Sequence, residues 1–86
     1  MAMGKMLLEN GLIACSNVTK VYSQYIWKGK FYDVEEFSAS FKTTPEKKGQ
    51  AIKFIKKRHP YEIPLIASKE FAINNSYKSW MDTLIH

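Results

Sequence analysis

The chain has 86 residues, 45% of them hydrophobic and 14% aromatic, and a formal net charge of +5. This composition predicts one small folded domain over residues 1–86 and excludes an intrinsically disordered chain. The single cysteine excludes an internal disulfide, and no apolar run approaches the roughly 20 residues that span a bilayer. We expect a cytoplasmic protein without a signal peptide or a membrane partner, whose positive charge permits an acidic partner without naming one.

A short helix and a long β-hairpin are predicted first along the chain. The helix ends at Asn10-Gly11, because glycine readily takes the left-handed conformation that closes a helix. Residues 12–28 and 31–43 are rich in β-branched and aromatic residues, which predicts two strands joined at the WKGK turn. Loops of two and of three residues both fit this turn and differ by one residue in register, so the face of Trp27 stays open.

The second half of the chain predicts a helix, a strand and a helix. A hydroxyl cap and a proline at Thr44-Pro45 begin the first of these, and Pro60 ends it. Residues 61–69 resemble a third strand at an edge or bulge of the sheet. Asn75-Ser76 is predicted to cap the last helix, which has an apolar face made of Tyr77, Trp80, Met81 and Leu84.

This order of elements favours an α/β (α+β) two-layer sandwich. A helix that enters a hairpin usually follows an earlier strand, and a strand in front would complete the split βαβ pattern of ferredoxin-like folds. That strand is central in the pattern. We therefore expect the first strand to be missing from this chain, as in an N-terminally truncated gene product or one with a misassigned start. Its loss would leave buried amides unpaired, at about 1–3 kcal/mol each.

Basic side chains are concentrated on the middle helix, at Lys53, Lys56, Lys57 and Arg58. They could contact phosphates, or they could be a solvated helix end whose cations offset the helix dipole. No nucleic-acid motif accompanies them, and the aromatic residues are not interleaved with the lysines as stacking platforms would be. We favour the solvated face and expect no nucleic-acid partner.

Cys15 and His59 are the residues with the softest ligand chemistry. A thiolate and an imidazole suit copper or zinc, but closed structural sites use about four ligands, usually in closely spaced pairs. On spacing alone, a small buried cysteine and a histidine at a helix end fit better. A Cys–His nucleophilic dyad would need an orienting group and an oxyanion loop, and none can be picked out, so we expect no enzymatic activity.

Five sequence segments closely resemble the CutA family of divalent-cation tolerance proteins: LLENGLIACSNV, YIWKGK, FKTT, KKRHPYEIP and YKSWMDTLI, in this order. The resemblance covers nearly the whole chain from Lys5 onward. It implies a ferredoxin-like, PII-like subunit with a long β-hairpin that assembles into a homotrimer. It also implies a role in copper tolerance, with weak binding of copper or another divalent cation. Trimerisation would cover the strand edges of the hairpin.

The resemblance also implies site residues. The metal ligands would be Cys15 and His59, and the other binding or interface positions would be Trp27, Glu36, Lys42 and Tyr61. Two positions depart from the family pattern, which carries acidic residues where Tyr32 and Leu65 stand here. The loss at Leu65 weakens the case for a metal site.

The PII proteins of nitrogen regulation, which the family resembles loosely, suggest an alternative function. In it the chain would be a trimeric regulatory protein that binds a small anionic ligand between subunits, through Lys28, Lys30 and Lys42. The sequence contains no glycine-rich phosphate loop, so this interpretation ranks second.

Overall fold

The computed structural model describes residues 2–60 and 63–86. The elements in this part of the chain are α1 (Ala2–Glu9), β1 (Cys15–Trp27), β2 (Lys30–Lys42), α2 (Pro45–Arg58) and α3 (Asn75–Leu84). β1 and β2 form an antiparallel hairpin in which Cys15 pairs with Lys42 and Trp27 pairs with Lys30. A strand of 13 residues is about 43 Å long, which accounts for the 47 Å length of the molecule.

The end of α1 confirms the predicted stop at Asn10-Gly11. Gly11 has a φ of +67°, and its N–H donates to the Leu8 carbonyl oxygen at 3.1 Å. The Leu12 N–H donates to the Leu7 carbonyl oxygen at 3.0 Å. This pair of hydrogen bonds is the Schellman motif, in which a left-handed residue satisfies the last carbonyls of a helix.

The hairpin turn is a two-residue loop, which settles the register that the sequence left open. Lys28 and Gly29 have φ angles of +52° and +77°, as a type I′ turn requires at both central positions. Tyr25 and Tyr32, which are partners in this register, stack with ring centroids 5.3 Å apart.

The two later helices begin close to their predicted positions. Thr44 is the N-cap of α2 and Pro45 its first residue, but the Thr44 side chain makes no capping hydrogen bond. α3 begins after Asn74, one residue before the predicted cap. The last turn of α2 carries Lys56, Lys57 and Arg58, cations that offset the helix dipole there. None of the described helices is long and apolar enough to cross a membrane.

The core is small and lies where α1, α2 and the base of the hairpin meet. Its buried apolar side chains, among the described residues, are Leu7, Leu12, Ile13, Ala14, Ala51 and Met81. The predicted first strand began at residue 12, whereas β1 begins at Cys15, because the chain before it is buried in this core. The Thr43 hydroxyl donates to the Leu12 carbonyl oxygen at 2.6 Å and ties that segment to the end of β2.

The third strand predicted over residues 61–69 is wrong for its described part. Tyr61 and Glu62 lie outside the described residues, and residues 63–69 carry no strand. A strand exists only where its backbone bonds to a neighbour, and the sheet in the described residues contains β1 and β2 alone. Burial still alternates from Ile63 to Ile66 with the two-residue period of a strand.

Candidate functional site

The thiol of Cys15 lies at the base of the hairpin beside a lysine. The Lys42 Nζ is 3.9 Å from the Cys15 Sγ and donates to the Asn17 Oδ1 at 2.8 Å. The Cys15 Sγ is also 3.5 Å from the same Asn17 oxygen. The three side chains converge because antiparallel pairing places Cys15 opposite Lys42, with Asn17 two residues along on the same face. The result is a half-buried thiol flanked by one amide and one cation.

His59 follows α2 and lines an open groove. Its N–H donates to the Ile55 carbonyl oxygen at 2.8 Å, and its side chain is half-buried. The groove has a volume of about 1870 Å³, and Trp27, Glu36 and Lys42 line it as well. Cys15 is not among the lining residues. The structure therefore brings four of the predicted site residues to one concave surface without the thiol.

These residues are nevertheless spread along the hairpin. Trp27 is at the tip, Glu36 pairs with Val21 near the middle, and Lys42 is at the base. From Lys30 to Lys42 the distance is about 40 Å for an extended strand. The remaining predicted position, Tyr61, lies outside the described residues. One copy of the chain therefore does not gather these side chains around a common small ligand.

The donor set of the described residues does not fit a closed metal site. Within residues 2–60 and 63–86, no group of three or more His, Cys, Asp or Glu side chains could hold a metal ion. The softest donor, the Cys15 sulfur, faces the Lys42 ammonium, which repels a cation approaching from that side. A metal at Cys15 would need ligands beyond those that the described residues of one copy bring together.

A second surface feature is the apolar face of the hairpin. Alternate positions on paired strands point to the same side of a sheet, and on one side of this hairpin exposed apolar residues alternate with polar ones such as the Lys20–Glu35 ion pair. Tyr22 and Ile26 are each 74% exposed, and the other members of this face are Val18, Phe31 and Phe37. We call these five residues the hairpin face. The membership of this face depends on the register set by the turn, which the sequence left open.

Comparison with known proteins agrees with this architecture. The model of the family described as CutA1 divalent ion tolerance protein matches residues 1–84. The chain belongs to the CutA1 family. The divalent-cation tolerance protein CutA of Thermotoga maritima is 40% identical over 79 residues, which are 91% of this chain and 78% of that protein. The corresponding protein of Thermococcus kodakarensis is 37% identical over 76 residues, 87% of this chain and 73% of that one.

Solved CutA structures show the same fold. CutA1 from Pyrococcus horikoshii superposes with a TM-score of 0.92 at 29% identity, over 99% of this chain and 84% of that one. The PII-like protein CutA from Nostoc superposes with a TM-score of 0.79 at 26% identity, over 98% of this chain and 81% of that one. The chain therefore has the CutA1 fold, ferredoxin-like and PII-like, with a long antiparallel hairpin.

Proposed function

We propose that this chain acts in divalent-cation tolerance as a cytoplasmic, non-enzymatic homotrimer that binds copper or a related divalent cation weakly. Membership of the CutA1 family is the observation that carries this proposal. The proposed ligands are the thiol of Cys15, which forms no disulfide, and the imidazole of His59. Both are soft or borderline donors of the kind that copper prefers.

The hairpin face supports the self-assembly. This face displays two aromatic rings and an isoleucine that are each more than 60% exposed, besides Tyr22, and large exposed aromatic side chains are enriched at protein interfaces. The thin core points the same way, because a chain this short buries little surface alone. Packing the hairpin faces of neighbouring copies together would bury these side chains and add stability.

The assembly is tested by solution mass. We expect the unmodified chain to run as a trimer, and Ile26→Lys to shift it towards monomer, because a lysine in that interface would lose its hydration. Thr19→Lys is the matched control, since Thr19 is exposed on the opposite side of β1. A compact monomer for the unmodified chain at micromolar concentration would refute the trimer.

The local charges support the proposed weak affinity for the cation. A cation that reaches the Cys15 sulfur is repelled by the nearby Lys42 ammonium, and a single copy offers no cluster of three or more donors in the described residues. In an assembly, donors of a neighbouring copy could complete the coordination. Binding would then depend on the oligomer, as expected for a low-affinity site built between subunits.

Copper titration tests the ligands directly. Sulfur-to-copper charge transfer in the absorption spectrum would report on Cys15, and we expect Cys15→Ala to abolish it. His59→Ala should lower the affinity for copper, whereas His86→Ala, the matched control at the other histidine, should not. Unchanged affinity in the double variant Cys15→Ala/His59→Ala would eliminate the site.

A second candidate is the binding of a small anion between subunits, as in PII-type regulation. The PII-like description of the Nostoc relative favours it. Lys28 and Lys30 lie at the hairpin tip and Lys42 at the base, so the three could meet only across two copies. Calorimetry with nucleotides and with copper separates the candidates: heat with nucleotides that Lys42→Ala removes would favour the anion, and no heat would dismiss it.

A further inference from the structure

The base of the hairpin holds two nucleophilic groups in contact, a thiol and an amine. The Cys15 sulfur and the Lys42 Nζ are 3.9 Å apart, and the Asn17 side-chain oxygen accepts a hydrogen bond of 2.8 Å from the lysine. Within residues 2–60 and 63–86, no carboxylate forms an ion pair with Lys42. An acyl group that one of the two nucleophiles accepts therefore lies within reach of the other.

Both nucleophiles are accessible to small reagents in solution. The Lys42 side chain is exposed, and Cys15 is half-buried and forms no disulfide. Cys15 and its partner Lys42 point to the side of the hairpin opposite to the hairpin face, since Val18 lies three residues further along β1. Packing of the hairpin faces between copies therefore leaves this pair outside the contact.

We propose that Lys42 is a site of Nζ-acylation and that Cys15 receives the acyl group first, from a small acyl thioester. The Cys15 thiolate attacks the carbonyl carbon of the thioester and expels the thiolate of the donor, which leaves an S-acyl cysteine. The neutral amine of Lys42 then attacks the same carbonyl carbon. The carbon–sulfur bond breaks, an amide bond forms, and the proton that the nitrogen loses passes to the released Cys15 thiolate.

The distance between the two nucleophiles suits the transfer from sulfur to nitrogen. The carbonyl carbon of an S-acyl group is one bond from the sulfur, so an amine 3.9 Å from that sulfur can reach the reactive distance of about 3–3.5 Å. Pairing of Cys15 with Lys42 keeps their Cβ atoms about 4.5–5.5 Å apart. The chain contains one cysteine, so a lysine such as Lys53, on the exposed part of α2, depends on direct attack on the donor.

Acylation of Lys42 changes the charge beside the thiol. The amide that replaces the ammonium is neutral, so the positive charge that repels a cation from the Cys15 sulfur is lost. This consequence rests on the proposed function, whereas the acylation itself does not. The supply of acyl thioester would then regulate how tightly the protein binds a divalent cation at Cys15.

The acylation is tested on the reduced, metal-free chain with excess acetyl-coenzyme A, and peptide mass spectrometry measures the acetylation of each lysine. Lys42 should react at least about tenfold faster than Lys53 in the same sample, because its nucleophile and the acyl group are held together. In Cys15→Ser, which cannot form the thioester, the rate at Lys42 should fall to that at Lys53. Equal rates at the two lysines of the unmodified chain, or an unchanged rate at Lys42 in Cys15→Ser, would overturn the proposal.

An amine-selective reagent controls for any change in the exposure of Lys42. N-hydroxysuccinimidyl acetate acylates amines without help from a thiol, so the readout is the rate at Lys42 with acetyl-coenzyme A divided by the rate with this reagent. We expect this ratio to fall at least about tenfold in Cys15→Ser. Lys42→Arg, which cannot accept the acyl group, should accumulate a thioester on Cys15 that hydroxylamine removes, and its absence would refute the proposed order of transfer.

The effect on cation binding is measured separately by copper titration. Lys42→Gln, whose side chain is a neutral amide, should bind Cu²⁺ about fivefold more tightly than the unmodified chain, and Lys42→Arg, which keeps the charge, should not. Equal affinities of Lys42→Gln and Lys42→Arg would overturn the regulation. The absence of copper binding in every form would overturn the proposed function, whereas acetylation of Lys42 is decided without metal.

Discussion

The Lys42 ammonium nitrogen lies 3.9 Å from the sulfur of Cys15, its partner in the first residue pair of the hairpin. The lysine is held there by a 2.8 Å hydrogen bond to the Asn17 side chain. A positive charge fixed beside the softest donor of the chain opposes the approach of a metal cation. The strength of any copper binding at Cys15 should therefore depend on Lys42.

Replacing this lysine should strengthen copper binding. We expect Lys42→Met to raise the affinity for Cu²⁺ about fivefold, because two charges of like sign near 4 Å repel by about 1 kcal/mol even in water. Titration at low ionic strength measures the effect, which added salt should reduce. Lys53→Met, on the exposed part of α2, removes the same charge elsewhere and should change nothing. Weaker copper binding in Lys42→Met would contradict the repulsion of the metal by this lysine.

Substitution by alanine should destabilise the protein at one glycine and stabilise it at another. Gly11→Ala should destabilise the protein by at least about 1–2 kcal/mol, because φ is positive there and the new Cβ would lie 2.6 Å from the His86 ring. Gly49→Ala, in open space within α2, should stabilise by about 0.5–1 kcal/mol. Urea denaturation measures both changes in the free energy of unfolding.

The His86 contribution can be separated from the backbone strain. In a His86→Ala background, Gly11→Ala should cost less, since only the left-handed conformation then opposes the new methyl group. An identical cost in the two backgrounds would show that the contact with the His86 ring contributes nothing.

Adjacent leucines in α1 provide a test of the small core. Leu7 is fully buried, and Leu8 is 41% exposed. Leu7→Ala should destabilise by about 2–5 kcal/mol through lost burial and a cavity, a large share of the stability of so small a domain. Leu8→Ala is the same substitution at the next residue of α1 and should lower the free energy of unfolding by less than about 1 kcal/mol. Similar losses at both positions in thermal unfolding would mean that α1 does not pack as described.

Lys28→Asn should stabilise the hairpin turn. Lys28 has a φ of +52°, which lysine tolerates poorly and asparagine well, and relief of this strain is worth about 1 kcal/mol. The change also removes the contact of the Lys28 ammonium with the Trp27 ring, worth about 0.5 kcal/mol at an exposed site. We therefore expect a net gain of about 0.5 kcal/mol, measured as a raised Tm.

The neighbouring lysine is the matched control for the turn. Lys30 lies over the Tyr32 ring in the same way, at 5.4 Å, but has no positive φ. Lys30→Asn should therefore lower the Tm slightly. A rise in both variants would point to the loss of positive charge rather than to the turn conformation.

Features set by local chemistry could be predicted from the sequence. The stop at Asn10-Gly11, the glycine in the hairpin turn and the start of α2 at Thr44-Pro45 each depend on a few adjacent residues. The third strand could not be predicted in this way. A strand needs a hydrogen-bonded neighbour, and no local pattern can say whether the chain supplies one.

The candidate site was predictable only in part. The sequence named Cys15 and Lys42 separately, but their contact joins residues 27 apart and exists only in the register of a two-residue loop. A three-residue loop would have shifted the pairing by one position. That choice depends on the left-handed conformation of Lys28, for which lysine is an unusual residue.

The long hairpin also bears on how the chain folds. Starting from the turn at Lys28 and Gly29, each successive pair of residues closes a loop only slightly longer than the one before, so the chain entropy is lost in small steps. Hairpins form in microseconds by this route. The hydrogen bond from the His86 N–H to the Gly11 carbonyl oxygen joins distant parts of the chain, so it should form late in folding. The hairpin should form first, and the packing of α3 against the rest of the chain should limit the observed folding rate.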